Sequence, residues 1–416
     1  MITLDMEGII TMDYEQSLLF TPEGVRDIYG VECEKRKKVE NDILHLMNVY
    51  GFKDIQTPTF EFFDIFNHDR GSVASKDMFK FFDQYNNTLA LRPDITPSIA
   101  RCVAKYYSDD DMPIRLCYSG STFIHRRGYQ GKLSEIAQIG AELMNDSSSD
   151  ADAEMIALTV ECLAKAGLKE FTIDAGHAGF IRGVMEEAGF SKEEVRAYKT
   201  LLANKNIFGV EDMMEGKELS ADLKELLIKL PDLFGGKETL MYAKDKVHHP
   251  LAIEALERLE RVHEILEIYG LEESVTFDLS MLSHYDYYTG IIFKAYTYGT
   301  GEAIVTGGRY DNLIEQFGKK ASAVGLAIVL DQLMNALQSQ QVTIPTETDG
   351  VLVLYHSANR KNAIHLGNRY REKGRQVMLM RKDAEMSLDV YKEYASNHAI
   401  SLVVYVEDEK TTTIDL

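Results

Sequence analysis

Residues 123–142 read Phe-Ile-His-Arg-Arg-Gly-Tyr-Gln-Gly-Lys-Leu-Ser-Glu-Ile-Ala-Gln-Ile-Gly-Ala-Glu. Strand signals at Pro113–His125 and Glu135–Glu142 flank a basic turn with Arg126, Arg127 and Lys132, which reads as a solvated hairpin. Side chains alternate along a strand, so Gln138 and Glu142 fall on one face. That places an amide and a carboxylate on the same side of the sheet.

Working outward, the same chemistry recurs. Before the hairpin, strands at Met78–Phe82 and Thr88–Leu91 lead into Leu91-Arg92-Pro93-Asp94-Ile95-Thr96 and a helix over Pro97–Tyr107. Earlier still, 22–50 reads as a long amphipathic helix on Val39, Ile43, Leu46, Met47 and Tyr50, closed by Gly51, with a strand ending at Pro58. After the hairpin, Ser147–Asp150 caps a helix over Ala151–Ala166, and 169–174 is a strand. Residues 178–270 are mostly helical, with a helical insert at about 190–250. Strands return at Val275–Leu279, Tyr287–Thr297 and Glu302–Val305. Gly307-Gly308 marks a close backbone approach, and helices are expected from Tyr310 and over Val324–Gln338. The polar, proline-bearing stretch 339–349 reads as a linker between a first domain, 1–338, and a small α/β unit, 350–416. The fold class is therefore α+β.

Composition narrows the function. The 416 residues carry 45 basic and 66 acidic side chains, a formal net charge of −21, which disfavours nucleic acid as a partner. No apolar run reaches the roughly 20 residues that span a bilayer, so no membrane span is expected. Residues 1–16 lack a basic region and an apolar region, so no secretory signal is read there. Four scattered cysteines with no CxxC suit a reduced, cytoplasmic compartment and give no zinc spacing. No cofactor or metal is expected.

Taken together, Leu91–Thr96, Phe123–Glu142, Tyr285-Asp286-Tyr287-Tyr288-Thr289-Gly290 and Gly307-Gly308-Arg309-Tyr310-Asp311 resemble the catalytic core of histidyl-tRNA synthetase, a class II aminoacyl-tRNA synthetase. The segments fall in that family's order and spacing over about 18–338. The helix and strand ending at Pro58 resemble motif 1, its dimerisation element. The resemblance implies an antiparallel sheet flanked by helices, with a homodimer through the motif 1 region. The tail resembles a shortened anticodon-binding domain.

What is missing discriminates further. Motif 2 of an active synthetase has an arginine on the ATP α-phosphate, and here that position is Ile124. The motif 3 arginine position is Gln332, the histidine-box arginine position is Ser283, and the adenine-stacking aromatic position is Ile136. Activation develops phosphate charge that fixed cations must meet. Without those three cations, charge-assisted stabilisation falls by roughly 5–9 kcal/mol on naive addition. Asp331, beside Gln332, is expected to add repulsion there. The positions that hold histidine in that family match Asp94 (a glutamate in the synthetase), Thr96, Gln138, Glu142, Tyr288 and Tyr310, with Tyr287 adjacent. An ammonium wants the acceptors Asp94, Thr96 and Gln138, and an imidazolium can donate to Glu142 and a tyrosine hydroxyl.

Each residue also has a plain structural explanation: Tyr287 and Tyr288 as core aromatics, Gln138 and Glu142 as a polar sheet surface, Asp94 as a helix cap, Arg309 as the partner of a nearby carboxylate. It is their joint occurrence that favours a ligand pocket. A synthetase-like chain with a histidine pocket and no activation arginines resembles the regulatory-subunit family of ATP phosphoribosyltransferase. That resemblance implies a catalytically silent chain, histidine as allosteric ligand, and a short-form catalytic subunit as partner, typically in a hetero-octamer. An active histidyl-tRNA synthetase, or a histidine sensor attached to another enzyme, are the competing readings.

Overall fold

The computed structural model describes residues 3–4, 10–11, 19–66, 73–125, 132–282, 287–345, 350–398, 400–407 and 411–415. The chain divides into two compact units, Met1–Thr343 and Ile344–Leu416. The first opens with the short strands β1 (Thr3–Leu4) and β2 (Ile10–Thr11), helix α1 (Gly30–Val49) and strands β3 (Lys53–Asp54), β4 (Phe60–Phe62), β5 (Lys80–Phe82) and β6 (Thr88–Leu91). Then come α2 (Thr96–Tyr106), β7 (Ile114–Phe123), β8 (Glu135–Met144), α3 (Ser149–Ala166), β9 (Thr172–His177) and α4 (Ala178–Glu187). The insert holds α5 (Lys192–Ala203), α6 (Ile207–Met214), α7 (Ala221–Lys229), β10 (Phe234–Gly235) and α8 (Lys237–Lys244). Helix α9 (Pro250–Tyr269), strands β11 (Val275–Asp278), β12 (Ile291–Tyr296), β13 (Val305–Arg309) and β14 (Ala323–Val329), and helix α10 (Leu330–Ser339) complete the unit.

Nine strands form one sheet in the order β10-β11-β9-β12-β13-β14-β8-β7-β3. Its pairs are antiparallel except β11 with β9 and β3 with β7. The expected antiparallel, synthetase-like sheet is therefore present. The insert is not wholly helical: β10 pairs with β11 and extends the sheet at its edge. Helix α2 packs Ile99 and Val103 against Leu116 of β7 and Tyr310, closing one sheet face over an apolar cluster. Each such side chain, fully buried, contributes about 1.5–3 kcal/mol.

Three expectations are corrected. Val324–Gln338 is not one helix: β14 ends at Val329 and α10 begins at Leu330. The run Ala-Val-Gly-Leu-Ala-Ile-Val is apolar throughout because β14 is flanked by β13 and β8, and such a run has no period to separate strand from helix. The helix expected over 22–50 starts only at Gly30. Gly24 has φ +82°, and its carbonyl accepts from the Ser134 N–H at 2.7 Å, so the preceding arm lies along the start of β8 instead. The helix expected from Tyr310 is a single 3-10 turn, Ile314–Phe317.

The second unit is a four-stranded sheet in the order β16-β15-β17-β18, built from β15 (Gly350–Tyr355), α11 (Arg360–Glu372), β16 (Val377–Arg381), α12 (Leu388–Asn397), β17 (Ile400–Val406) and β18 (Thr411–Asp415). Strand β18 reads Thr-Thr-Thr-Ile-Asp and was not foreseen; its residues are exposed or half-buried, so it carries little apolar signal. Among the described residues no helix is long and apolar enough to cross a membrane.

Candidate functional site

Glu142 lies near the end of β8, opposite Gly325 on β14. A Cβ on Gly325 would stand 1.7 Å from Glu142 Oε2, so glycine there leaves the space the carboxylate occupies. Glu142 is 1% exposed. The Tyr310 hydroxyl donates to its Oε2 at 2.5 Å and Thr96 Oγ1 donates to its Oε1 at 2.8 Å. Burial nevertheless dominates: it pushes the Glu142 carboxyl up to about 8, with the nearby charge of Asp94 adding to the rise and the two hydroxyl donors opposing it. Among the described residues no lysine or arginine pairs with Glu142.

Asp94 stands at the entrance to α2, also buried, and accepts from the Tyr287 hydroxyl at 2.9 Å and from the Thr96 N–H at 3.1 Å. The local turn explains its place: Pro93 holds the preceding chain out of the helix, and Asp94 bonds the backbone two residues on, as Asp commonly does. Tyr287 packs edge-on against both Tyr288 and Tyr310, with ring centroids 5.2 and 5.8 Å apart. Gly308 on β13 permits this packing, since a Cβ there would sit 2.7 Å from the Ile291 carbonyl and 3.2 Å from the Tyr288 ring.

Asp94, Thr96, Gln138, Glu142, Tyr287, Tyr288 and Tyr310 thus line one cleft, together with Thr306 and Gly325. Thr306 and Gly325 were not singled out from the sequence; the glycine interrupting an apolar run was the available signal. Gln138 Oε1 is buried and has no hydrogen-bond partner among the described residues. Such an orphaned acceptor costs about 1–3 kcal/mol unless a donor meets it. The cleft is narrow, about 20 Å3, room for roughly one water. Its chemistry is one-sided: two carboxylates and an amide oxygen converge on it.

The described positions expected to stand where a synthetase grips phosphate lie elsewhere on the sheet and just past its strand ends. Ile136 shares the β8 face of Gln138 and Glu142, two residues before Gln138, and Ile124 directly follows β7. Gln332 lies in the first turn of α10. Ser283 lies outside the described residues. Asp331 corrects an expectation. It is not a loose negative charge, because Arg36 holds it at 2.6 Å and Arg26 lies 3.6 Å away. Arg92 and Arg309 are scaffold groups. Arg92 donates to the carbonyls of Ser121, Thr57 and Pro58, and Arg309 pairs with Asp152 and Asp311.

Residues 24–333 match the histidyl-tRNA synthetase family. An ATP phosphoribosyltransferase regulatory subunit of Ruminiclostridium cellulolyticum is 37% identical, the match covering 96% of this chain and 95% of the relative. Its counterpart in Acetivibrio thermocellus is 35% identical over 95% and 94% of the two chains. A crystal structure from Bacillus halodurans C, named as an ATP phosphoribosyltransferase regulatory subunit/histidyl-tRNA synthetase, superposes with a TM-score of 0.83 at 30% identity, covering 94% of this chain and 99% of that one. Histidyl-tRNA synthetase from Nostoc sp. PCC 7120 shares the fold, with a TM-score of 0.78 at 17% identity and 97% of each chain covered. With the synthetase-like sheet present and curated relatives of 35–37% identity matched nearly end to end, the chain belongs to the ATP phosphoribosyltransferase regulatory subunit family.

Proposed function

We propose that this chain is the non-catalytic, histidine-binding regulatory subunit of an ATP phosphoribosyltransferase whose catalytic chain is a separate, short-form protein. One observation carries the ligand reading: among the described residues no cation pairs with the buried Glu142, which shares its cleft with Asp94 and with Gln138 Oε1, an acceptor without a described donor. A cleft of buried acceptors is completed by a ligand that brings positive charge and N–H donors, and histidine brings an ammonium and an imidazole. The ammonium takes Asp94, Gln138 Oε1 and the remaining lone pairs of Thr96. The imidazole takes Glu142 and a tyrosine hydroxyl. Because the cleft is narrow, binding displaces the half-buried Tyr288 ring.

Loss of activation chemistry follows from Ile124, Ser283 and Gln332, none of which carries the charge a phosphoryl transition state needs. Feedback inhibition then requires histidine to favour one state of the complex, and couplings of about 1–3 kcal/mol are typical. The homodimer through the motif 1 region (α1 and β3) and the hetero-octamer belong to this reading. So does the 350–416 unit, as a shortened anticodon-binding domain that serves packing or subunit contacts.

Titration calorimetry of the full chain with L-histidine tests the pocket, with Glu142→Gln expected to weaken binding at least about tenfold. In the reconstituted transferase, Glu142→Ala and Tyr288→Phe are expected to blunt histidine inhibition with assembly intact. Full histidine sensitivity in both variants overturns the pocket assignment. Histidine-dependent ATP–pyrophosphate exchange by the purified chain overturns the non-catalytic reading and favours a synthetase. Co-purification with an enzyme other than a phosphoribosyltransferase favours a sensor of another pathway.

A further inference from the structure

The inner cleft leaves half of its ligand unexplained. Asp94, Glu142 and Gln138 Oε1 suit the cationic end of an amino acid but repel its carboxylate. A carboxylate bound there must point away from them, toward fixed positive charge. Ser283 stands where the related synthetases place an arginine, and it brings no charge.

A second chamber of about 730 Å3 adjoins the cleft. The Tyr288 ring lines both. The chamber is walled by α4, α5 and the approach to β12, including Met281, Leu282 and Ile292. Its cations are Arg182 on α4 and Lys199 on α5. Both are exposed, and neither makes an ion pair or hydrogen bond with a described residue. Among the described lining residues the acidic one, Glu186, lies 3.5 Å from His249 Nε2. The two neighbouring compartments thus carry opposite chemistry, acceptors within and unpaired donors without, with one aromatic ring between them. A zwitterion has the same polarity along its length.

We propose that Arg182 and Lys199 receive the carboxylate of the amino acid whose cationic groups sit in the inner cleft, so that ligand selection is shared across the Tyr288 wall. A guanidinium can take both carboxylate oxygens in parallel, and an ammonium adds a point charge. Displacing the Tyr288 ring on binding joins the two compartments. Because both cations face solvent, their pull is screened by salt, unlike that of the buried acceptors. The inference rests on the amino-acid reading of the inner cleft.

The test compares L-histidine with histamine, which keeps the imidazole and ammonium but lacks the carboxylate. Affinities are measured by calorimetry on the full chain and on the Arg182→Gln/Lys199→Gln double variant. Wild type is expected to prefer histidine by about tenfold, a charge-assisted contact discounted for exposure. The double variant is expected to lose that preference while binding histamine as wild type does, which also shows that the cleft remains folded. Raising the salt concentration should shrink the preference in wild type only. An unchanged histidine-to-histamine ratio in the double variant overturns the assignment of these two cations, as does a wild type that binds both ligands equally; in either case the inner cleft stands. A wild type that binds neither ligand removes the cleft reading and this one with it.

Discussion

Asp152 and Glu142 are both buried carboxylates in the first unit, and burial raises both; what differs is the opposition, two arginines at Asp152 and two neutral hydroxyls at Glu142. Asp152, on α3, is fully buried and has two arginines: Arg309 Nε donates at 2.8 Å and Arg258 Nε at 2.7 Å. Among the described residues Glu142 has only a tyrosine and a threonine hydroxyl. A buried charge whose counter-charge is supplied by the chain is a finished joint. It ties α3 to α9 and β13, and a ligand could add nothing to it. A buried carboxylate satisfied by neutral donors alone is pushed toward its protonated form, and a cation from outside would restore its charge. The difference separates scaffold from site more sharply than burial or residue type does.

The comparison breaks most visibly at the joint. Asp152→Ala leaves Arg309, 4% exposed, without its main partner. Removing one member of a buried pair costs about 3–5 kcal/mol, so urea unfolding of the first unit should shift by that amount. A shift under about 1 kcal/mol would mean the arginines find other partners and the pair is not structural.

Glu142 predicts the reverse. Its folded carboxyl titrates at about 8, against 4.5 for an unperturbed glutamate. The folded state therefore holds a proton that the unfolded state has released across that interval. Stability contributed by the protonated carboxyl is complete below about 4.5 and is lost as pH rises through about 8. Between pH 5 and 8 the wild type should lose about 3 kcal/mol relative to Glu142→Gln, which cannot ionise. Parallel stability–pH curves for the two proteins would place Glu142 in a far wetter setting than its burial indicates.

A smaller effect should follow from Gly325→Ala. The added methyl would overlap Glu142 Oε2 at 1.7 Å. Either the carboxylate or β14 must move, at a cost of about 1–3 kcal/mol. Histidine affinity should fall with it, because the carboxylate is driven from its Tyr310 and Thr96 donors. Unchanged calorimetry would show that the ligand does not depend on where Glu142 stands.

The joint and the cleft were unequally legible in the sequence. Asp94, Thr96, Gln138, Glu142 and the tyrosines were readable through their joint resemblance to the histidyl-tRNA synthetase segments, and strand alternation added only that Gln138 and Glu142 share a face. The cleft's closeness to β14 was not, because residues 323–329 are apolar at every position and their period is blank. The pairing that neutralises Asp331 joins residues 295 apart in the chain, and no local pattern reports such a contact. The arginines of Asp152 were hidden for the same reason, with only Arg309 suspected of a structural pairing. Residue chemistry is written locally. Whether a charge is already answered is decided by tertiary neighbours.

The smallest expected effect is no effect, and it tests where the proton sits. At pH 7 the empty cleft holds a proton on Glu142, whose carboxyl titrates at about 8 beside Asp94, Tyr310 and Thr96. Free histidine at the same pH has a largely neutral imidazole, since that ring titrates near 6.5. In the complex proposed above the pair would share that one proton as imidazolium and carboxylate, with none taken from or given to solvent. Affinity should then be flat between about pH 6.5 and 8, and the heat of binding should not depend on the ionisation enthalpy of the buffer. Above about 8 the complex must draw its proton from solution, and affinity should fall by up to about tenfold per pH unit. Were Glu142 ionised in the empty cleft, proton uptake would begin near pH 6.5 and the buffer would register it at pH 7. A buffer-dependent heat at neutral pH would therefore show that Glu142, like Asp152, is already charged before any ligand arrives, and the contrast between the two carboxylates would fail.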